Sequence, residues 1–507
     1  MLVASIIMNH TETQRFLAQS PLEFFIGGRW LAASNAATFK TFDPGTGEAL
    51  AEVYEASPPD VGKAVEAAAE AFRQERWARL DPSERAIYLQ RLADVVEAHQ
   101  SVVAEVESLD VGKPLAQAEW DVRNFCQTVR YYAELAMRSQ YHTPIAVPHH
   151  EARIVHQPRG VCAFIIPWNF PFLLVGWGIA PALAAGNTVV IKPAEETPLS
   201  TLYLMELAEE AGIPHGVINV VTGSGEVTGA ALARHPRLAR MSFTGSPEVG
   251  RLVARECGQN LVPAKLELGG KGAAVIFEDT DIEATADALV SAITLNAGQV
   301  CCTASRWVVQ DKIYDQLVSL ASARMKQVRI GYGHDPNTQM GPVVSPKQRD
   351  RVLGYLSKAR MEGAKALLDG GTAAVAGREQ GYYVKPAILA GAPANVACRE
   401  EIFGPVPYVL KFRDDEDAIN LVNRSPYGLA NSVWSRDLQR ANRVAERLIA
   451  GNSWINAHNV FVHGIPYGGV NLSGLGGGVL GPNTFFDYLR DLSVVRPVPP
   501  GFDDLPT

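Results

Sequence analysis

The sequence predicts an α/β protein with two parallel-sheet domains and a small β element, and three observations carry that prediction. From Arg153 onward, short continuous apolar runs alternate with amphipathic helical segments. A second alternation of the same kind runs from about Arg306 to Val433. The 507 residues also exceed what one hydrophobic core can serve, so the chain divides into two or three domains. Strands that alternate with helices join in parallel through crossovers, and such sheets bind ligands beyond the carboxyl ends of their strands.

In chain order, Phe24–Ile26, Arg29–Trp30 and the stretch before Phe42-Asp43-Pro44-Gly45 read as short strands joined by turns. Ser57-Pro58-Pro59-Asp60 starts an alanine-rich helix to about Gln74. Asp81-Pro82-Ser83-Glu84 starts a second, predicted as one helix to about Ser108, and a third covers about Ala116 to Arg138. The apolar runs at 161–166, 188–191, 218–221, 241–243 and 273–277 are strands covered on both faces. A helix over 199–211 is expected to be capped by Thr197-Pro198 and closed by Gly212. Tyr382–Ile388 and Val406–Leu410 are the strand candidates of the second half, and Leu492–Val495 closes the chain as a strand.

Composition narrows the function. A formal net charge of -8 with no Lys/Arg block excludes a nucleic-acid or anionic-membrane surface and leaves a small molecule as the expected partner. The opening Met1–Met8 is apolar but lacks the basic residues of a signal peptide, and either methionine could be the start. The longest apolar stretch, Phe170 to Ala185, is shorter than the roughly 20 residues of a membrane span and reads as a buried helix near a ligand. Six cysteines without a C-x-x-C pair fit a reducing compartment such as the cytoplasm, and no H-E-x-x-H or similar pattern predicts a metal.

Chemistry concentrates in Asn296–Arg306, where adjacent Cys301 and Cys302 follow a Gly298-Gln299 turn. A cysteine nucleophile must be activated by its surroundings, because the unperturbed thiol has a pKa of about 8.5. Buried, inert thiols would give the same pattern. Gly223-Ser224-Gly225, Phe243-Thr244-Gly245-Ser246 and Leu268-Gly269-Gly270-Lys271 end strands with glycines that admit a ligand to the backbone. None matches G-x-G-x-x-G, and Gly223-x-Gly225-x-x-x-Gly229 is one residue too long.

From about Phe25 to Val495 these stretches, with Ile166-Pro167-Trp168-Asn169-Phe170-Pro171, Lys192-Pro193-Ala194-Glu195, Leu266-Glu267-Leu268-Gly269-Gly270-Lys271, Gly298-Gln299-Val300-Cys301 and Glu401-Ile402-Phe403-Gly404-Pro405, resemble the motifs of the NAD(P)-dependent aldehyde dehydrogenase superfamily in that family's order. The resemblance implies an aldehyde dehydrogenase-like fold and an enzyme. Cys301 would form a thiohemiacetal and then a thioester, Asn169 and the Cys301 N–H would hold the oxyanion, and Glu267 would be the base for hydrolysis. Cofactor contacts are implied for Ile166, Pro167, Trp168, Lys192, Glu195, Gly225, Phe243, Gly245, Ser246, Leu268, Gly269, Glu401 and Phe403. The acid at Glu195 would repel a 2'-phosphate, which favours NAD. No role is assigned to Lys271.

Phe170, Trp177, Leu295, Phe461 and Tyr467 fall where relatives line the aldehyde passage. An apolar, aromatic passage suits medium aliphatic or aromatic aldehydes. A box of rings would also take a trimethylammonium or amino aldehyde, and Arg123 and Arg306 stand as outer partners for other substrates. A CoA-acylating relative, which often lacks the base, and a non-catalytic binding protein are the rival readings. Gly477-Gly478 departs from relatives that carry Arg-Glu there, so another group must serve if a proton relay to the base is needed.

The resemblance divides the chain into an NAD-binding domain (20–138 and 157–270), a catalytic domain (271–465, with 466–484 returning to the core) and an oligomerisation element (139–156 and 485–507). It implies a homodimer or homotetramer.

Overall fold

The computed structural model describes residues 8–74 and 77–498, so the question of the start and the end of the third element fall outside the described residues. The first sheet has eight strands, in spatial order Arg29–Leu31, Phe24–Ile26, Ile218–Val220, Thr188–Lys192, Val161–Ile165, Arg240–Thr244, Ala264–Glu267 and Gly474–Leu475. The strands from Ile218–Val220 to Ala264–Glu267 run parallel. The second sheet, of seven strands, is parallel apart from its Lys365–Leu368 edge and centres on Arg306–Gln310 and Ala273–Ile276. Val161–Phe164, Thr188–Lys192, Ala273–Ile276 and Ala430–Trp434 are buried residue by residue, as strands with helices on both faces must be. Among the described residues no helix is long and apolar enough to cross a membrane.

A third, antiparallel sheet joins His142–Val147, His150–Pro158 and Leu489–Pro497. In the returning segment, Gly474–Leu475 pairs antiparallel with Leu266 and Glu267 at the edge of the first sheet.

Three local readings need correction. The helix expected from Asp81 to Ser108 is two, Pro82–Ala98 and Gln100–Val111, broken at His99 (φ -100, ψ 17). The second is buried on every side from Val102 to Val111, whereas the first buries one face, so the chain turns inward between them. The helix Leu199–Glu210 has no side-chain cap from Thr197; Asp110 reaches over from the Gln100–Val111 helix to accept the Leu199 N–H at 2.8 Å. Pro386, which lacks an N–H, splits the 382–388 run into Val384–Lys385 and Ile388–Ala390.

Asn187, fully buried, ties three of these parts together. Its Oδ1 accepts the Gly160 N–H at 2.9 Å, and its Nδ2 donates to Ala182 O at 3.0 Å and Tyr488 O at 2.9 Å. Asn187→Ala leaves the Gly160 N–H and the Tyr488 carbonyl without this partner, each costing about 1 to 3 kcal/mol, while Ala182 O keeps the Asn187 N–H. The expected outcome is a lower midpoint in urea unfolding.

Candidate active site

A cavity of about 940 Å³ lies past the carboxyl ends of the Val161–Ile165, Arg240–Thr244 and Ala264–Glu267 strands and is lined by Asn169, Glu267 and Cys301 among others. Cys301 is brought there by a turn in which Asn296 (φ 45), Ala297 (φ 54) and Gly298 (φ 74) are all left-handed. Such a conformation costs a non-glycine residue about 1 to 3 kcal/mol and persists only where neighbours over-determine it. At Gly298 a Cβ would come within 2.2 Å of the Gly404 carbonyl carbon.

Side-chain amides hold the turn. Asn169 Nδ2 donates to Gln299 O (2.9 Å), Asn296 Nδ2 to Asn169 O (2.8 Å) and Gln299 Nε2 to Asn296 O (2.9 Å). Gln299 Oε1 in turn accepts the Val344 N–H at 2.9 Å. One Asn169 amide proton is committed, and the other remains for an oxygen anion in the cavity.

The two thiols differ. Cys301 is partly exposed to the cavity, with its sulfur 3.5 Å from the Tyr467 hydroxyl. Cys302 is 1 % exposed, with its sulfur on Asn459 Oδ1 at 3.3 Å and its carbonyl on His458 Nε2 at 2.9 Å. The hydrogen bond with Cys302, then burial, push the Cys301 thiol well above its ordinary range, and the same contact pulls Cys302 down. Both line the cavity, and the greater exposure of Cys301 selects it, so its proton must leave as it reacts. His458 is neutral, pushed down to about 4 by burial.

Glu267 ends its strand with both carboxylate oxygens buried and without a hydrogen-bond partner. Burial pushes its carboxyl up to about 8, against the pull of Lys265. This is a carboxylate poised to take a proton near neutral pH.

On the far side, Lys192, Glu195 and Gly225 cluster: Lys192 Nζ donates to Glu195 at 3.3 Å, and the Gly225 N–H lies 3.4 Å from the other Glu195 oxygen. The extra residue in the Gly223–Gly229 spacing is accommodated in a π-helical turn, Gly225–Gly229. Ile166, Pro167, Trp168, Gly245, Ser246, Leu268, Gly269, Glu401 and Phe403 line the cavity itself. Phe243 does not; it packs in the apolar core of the first sheet, where a Cβ on Gly245 would collide with its ring.

These residues fit a dinucleotide. Two carboxylates and a buried ammonium suit ribose hydroxyls, and the Gly245-Ser246 turn opens the 13-residue helix Pro247–Gln259, whose first N–H groups suit a pyrophosphate. No side chain fits at Gly269, where a Cβ would lie 2.2 Å from Glu401 Oε2. Glu401 accepts the Gly270 N–H at 2.8 Å, and burial pushes it up to about 7.

Phe170, Trp177, Leu295, Phe461 and Tyr467 come together on the opposite side of Cys301. Phe461 stands 5.4 Å from Trp177 and 5.2 Å from Tyr467 between ring centres. Arg306 is buried on the Lys271, Leu421 and Val422 carbonyls, and Arg123 pairs with Glu119. Neither reaches the cavity. Lys271 is buried with Nζ unpartnered, and burial pushes it down to about 8.

Sequence reasoning missed Trp120 and Asp121, which line the passage from the Leu115–Arg138 helix, and Gln348 and Arg351. Gln348 Nε2 donates to Phe403 O at 2.6 Å and holds that residue at φ 63, while Arg351 donates to Glu401 O at 2.6 Å. Proline at the start of the Pro346–Met361 helix signalled the helix, but nothing signalled its target.

Residues 30–494 match the aldehyde dehydrogenase family. The chain is 41% identical over 465 residues to a phenylacetaldehyde dehydrogenase of Pseudomonas fluorescens, covering 90% of this chain and 92% of the relative. The structure of Staphylococcus aureus betaine aldehyde dehydrogenase with NAD+ superposes with a TM-score of 0.94 at 33% identity, covering 98% of this chain and 99% of that one. The NAD+ complex of a Bacillus cereus aldehyde dehydrogenase gives 0.94 at 37% identity, with 98% and 100% covered.

Cys301 is the one partly exposed thiol; the other five are buried. Iodoacetamide is therefore expected to label Cys301 first, faster as pH rises, with peptide mass spectrometry as the readout. Earlier labelling of Cys302 would reverse the assignment.

Proposed function

The chain belongs to the aldehyde dehydrogenase family, and from that premise we propose that Cys301, Asn169 and Glu267 oxidise an aromatic or medium aliphatic aldehyde to its carboxylic acid. The enzyme is NAD-dependent. The observation that carries the reading is the placement of a cavity-facing thiol between a dinucleotide-shaped surface and a passage of aromatic rings.

The Cys301 sulfur attacks the aldehyde carbon, and its proton passes to Glu267 or to water in the cavity. The resulting oxyanion is met by the spare Asn169 amide proton and the Cys301 N–H, one such donor being worth about 3 to 4 kcal/mol. NAD, when bound, supplies the hydride acceptor. Lys192, Glu195, Ser246 and Glu401 hold it, and Trp168 and Phe403, with ring centres 5.2 Å apart, border its site. The thioester on Cys301 is then hydrolysed, Glu267 taking a proton from the attacking water. An intact Glu267 supports release of a free acid over transfer to coenzyme A.

A trimethylammonium aldehyde is the second reading, favoured by the ring box and by the betaine aldehyde dehydrogenases among the relatives. Against it stands the charge of the passage. Asp121 is bound by Lys113 Nζ at 2.6 Å, and that ammonium also lies 4.2 Å from the Phe170 ring centre, so the acid on this wall of the passage already carries a countercharge. The third sheet exposes Ile145, Val147, Leu492 and Val495 on its edge strands, which supports dimers or tetramers built through it. The six free cysteines support a cytoplasmic setting.

Wild type is expected to reduce NAD with phenylacetaldehyde and to prefer it to betaine aldehyde, without need of coenzyme A. Cys301→Ala gives no NADH. Glu267→Gln keeps a first-turnover burst while steady turnover falls by about 10² to 10⁴. A Cys301→Ala enzyme that matches wild type would overturn the mechanism, and preference for betaine aldehyde would move the substrate to the second reading.

A further inference from the structure

Lys265 lies two residues before Glu267 on the Ala264–Glu267 strand, so both side chains project from the same face. It is 1 % exposed, and among the described residues no carboxylate lies within ion-pair distance of its Nζ. An ammonium buried so completely is costly unless it is paired. Its hydrogen bond goes instead to the Gly478 carbonyl, which also accepts the Thr484 hydroxyl at 2.9 Å.

That carbonyl belongs to a backbone pinch over the active site. Tyr467 and Val479 bridge each other. A Cβ at Gly478 would strike Tyr467 O at 2.3 Å, and one at Gly468 would strike the Gly478 Cα at 2.5 Å and come within 3.1 Å of Glu267 Oε1. The pinch admits no side chain at either glycine, and it touches both groups: Gly478 O takes the Lys265 ammonium, and Gly468 lies against the Glu267 carboxylate. The other charges facing Lys265 are Arg240 on the neighbouring strand and Asp487 after the Pro482–Phe486 helix, and these two pair with each other at 3.2 Å. Toward Glu267 the facing titratable groups are Lys265 and Cys301. Lys265 and Glu267 thus act on each other as opposite charges, and neither has an ion-pair partner among the described residues.

We propose that Lys265 is a positioning residue for the base: its buried ammonium, anchored on the Gly478 carbonyl, is the countercharge that keeps Glu267 available as a carboxylate during thioester hydrolysis. This rests on the reaction proposed above. Burial moves the two groups toward each other, Glu267 up to about 8 and Lys265 down to about 8. Removing the ammonium leaves the desolvated carboxylate with only the Gly469 N–H to oppose protonation, so its pKa rises further and the base form is depleted at neutral pH.

The test is the pH profile of 4-nitrophenyl acetate hydrolysis without NAD. The Cys301 sulfur attacks the ester carbonyl, 4-nitrophenolate leaves, and water cleaves the acyl–sulfur bond with Glu267 taking its proton. The burst therefore reads acylation and the steady rate reads the base. In Lys265→Met the alkaline rise of the steady rate is expected to move up by at least about one pH unit, about tenfold slower at pH 7, with the burst amplitude kept. Lys265→Arg, a permanent cation, restores the wild-type profile. An unmoved profile in Lys265→Met, or an upward shift in Lys265→Arg, overturns the proposal.

If Lys265→Met does not fold, infrared titration of wild type decides. A carboxylic-acid band that titrates near pH 8 and is missing from Glu267→Gln is expected, and in Lys265→Arg it titrates no higher. A band that titrates higher in Lys265→Arg than in wild type overturns the inference. Absence of any burst from wild type would refute the proposed reaction, and the infrared comparison would still read the charge pair.

Discussion

The proposed catalysis depends on how closely backbone can approach backbone where Leu268–Gly272 leaves the first sheet. A Cβ at Gly270 would sit 2.3 Å from Cys301 O, and one at Gly272 would sit 2.7 Å from both Thr303 O and Ala430 O. Glycine is therefore what allows the strand carrying the base and the loop carrying the nucleophile to touch. With those contacts made, the left-handed turn at Asn296–Gly298 has one place to go, and the amides of Asn169 and Gln299 fix it there. The strain in that turn is stored beside the reacting sulfur, where a rigid, preorganised donor set counts most.

The same closeness dries the site, and drying governs its charges. Glu267, Lys265, Glu401 and Lys271 are all moved toward neutrality by burial before any partner acts on them. The Lys113 cluster is buried as deeply but differs in kind: Lys113 binds Glu107 and Asp121 directly, which makes it a structural ion pair behind the Phe170 wall. Breaking such a cluster costs more than the cluster contributes. A base and a framework salt bridge are thus separated by whether the acid has a direct partner.

Sequence reasoning reached the strands because they leave local signals, whereas the residues proposed to react were named through the family resemblance. Continuous apolar runs marked strands covered on two faces, and glycine turns marked their carboxyl ends. It failed where the cause lies far along the chain. Asp110 caps a helix that Thr197 was expected to cap, and Phe243, read as a cofactor contact, is turned into the core by the alternation of its own strand. Lys265 stood beside Glu267 in plain view, yet a lysine on a strand reads as an exposed residue until the Gly468–Gly478 pinch is seen to cover it. Gly477-Gly478 was noticed only as something missing; its carbonyl is the feature.

The surface proposed for the cofactor is divided between the two sheets. Lys192, Gly225 and Ser246 follow strands of the first, whereas Glu401 and Phe403 lie on a turn before Tyr408–Phe412 of the second, gripped by Gln348 and Arg351 of the Pro346–Met361 helix. Phe403 takes φ 63 at a cost, which the Gln348 bond offsets, so the turn is set before a ligand arrives. A ligand that spans both halves binds the folded arrangement and not the unfolded chain, so its binding free energy adds to the cohesion of the two sheets. The seam that sets Cys301 against Glu267 is the seam such a ligand would cross, so saturating NAD would stabilise the geometry that the proposed reaction needs.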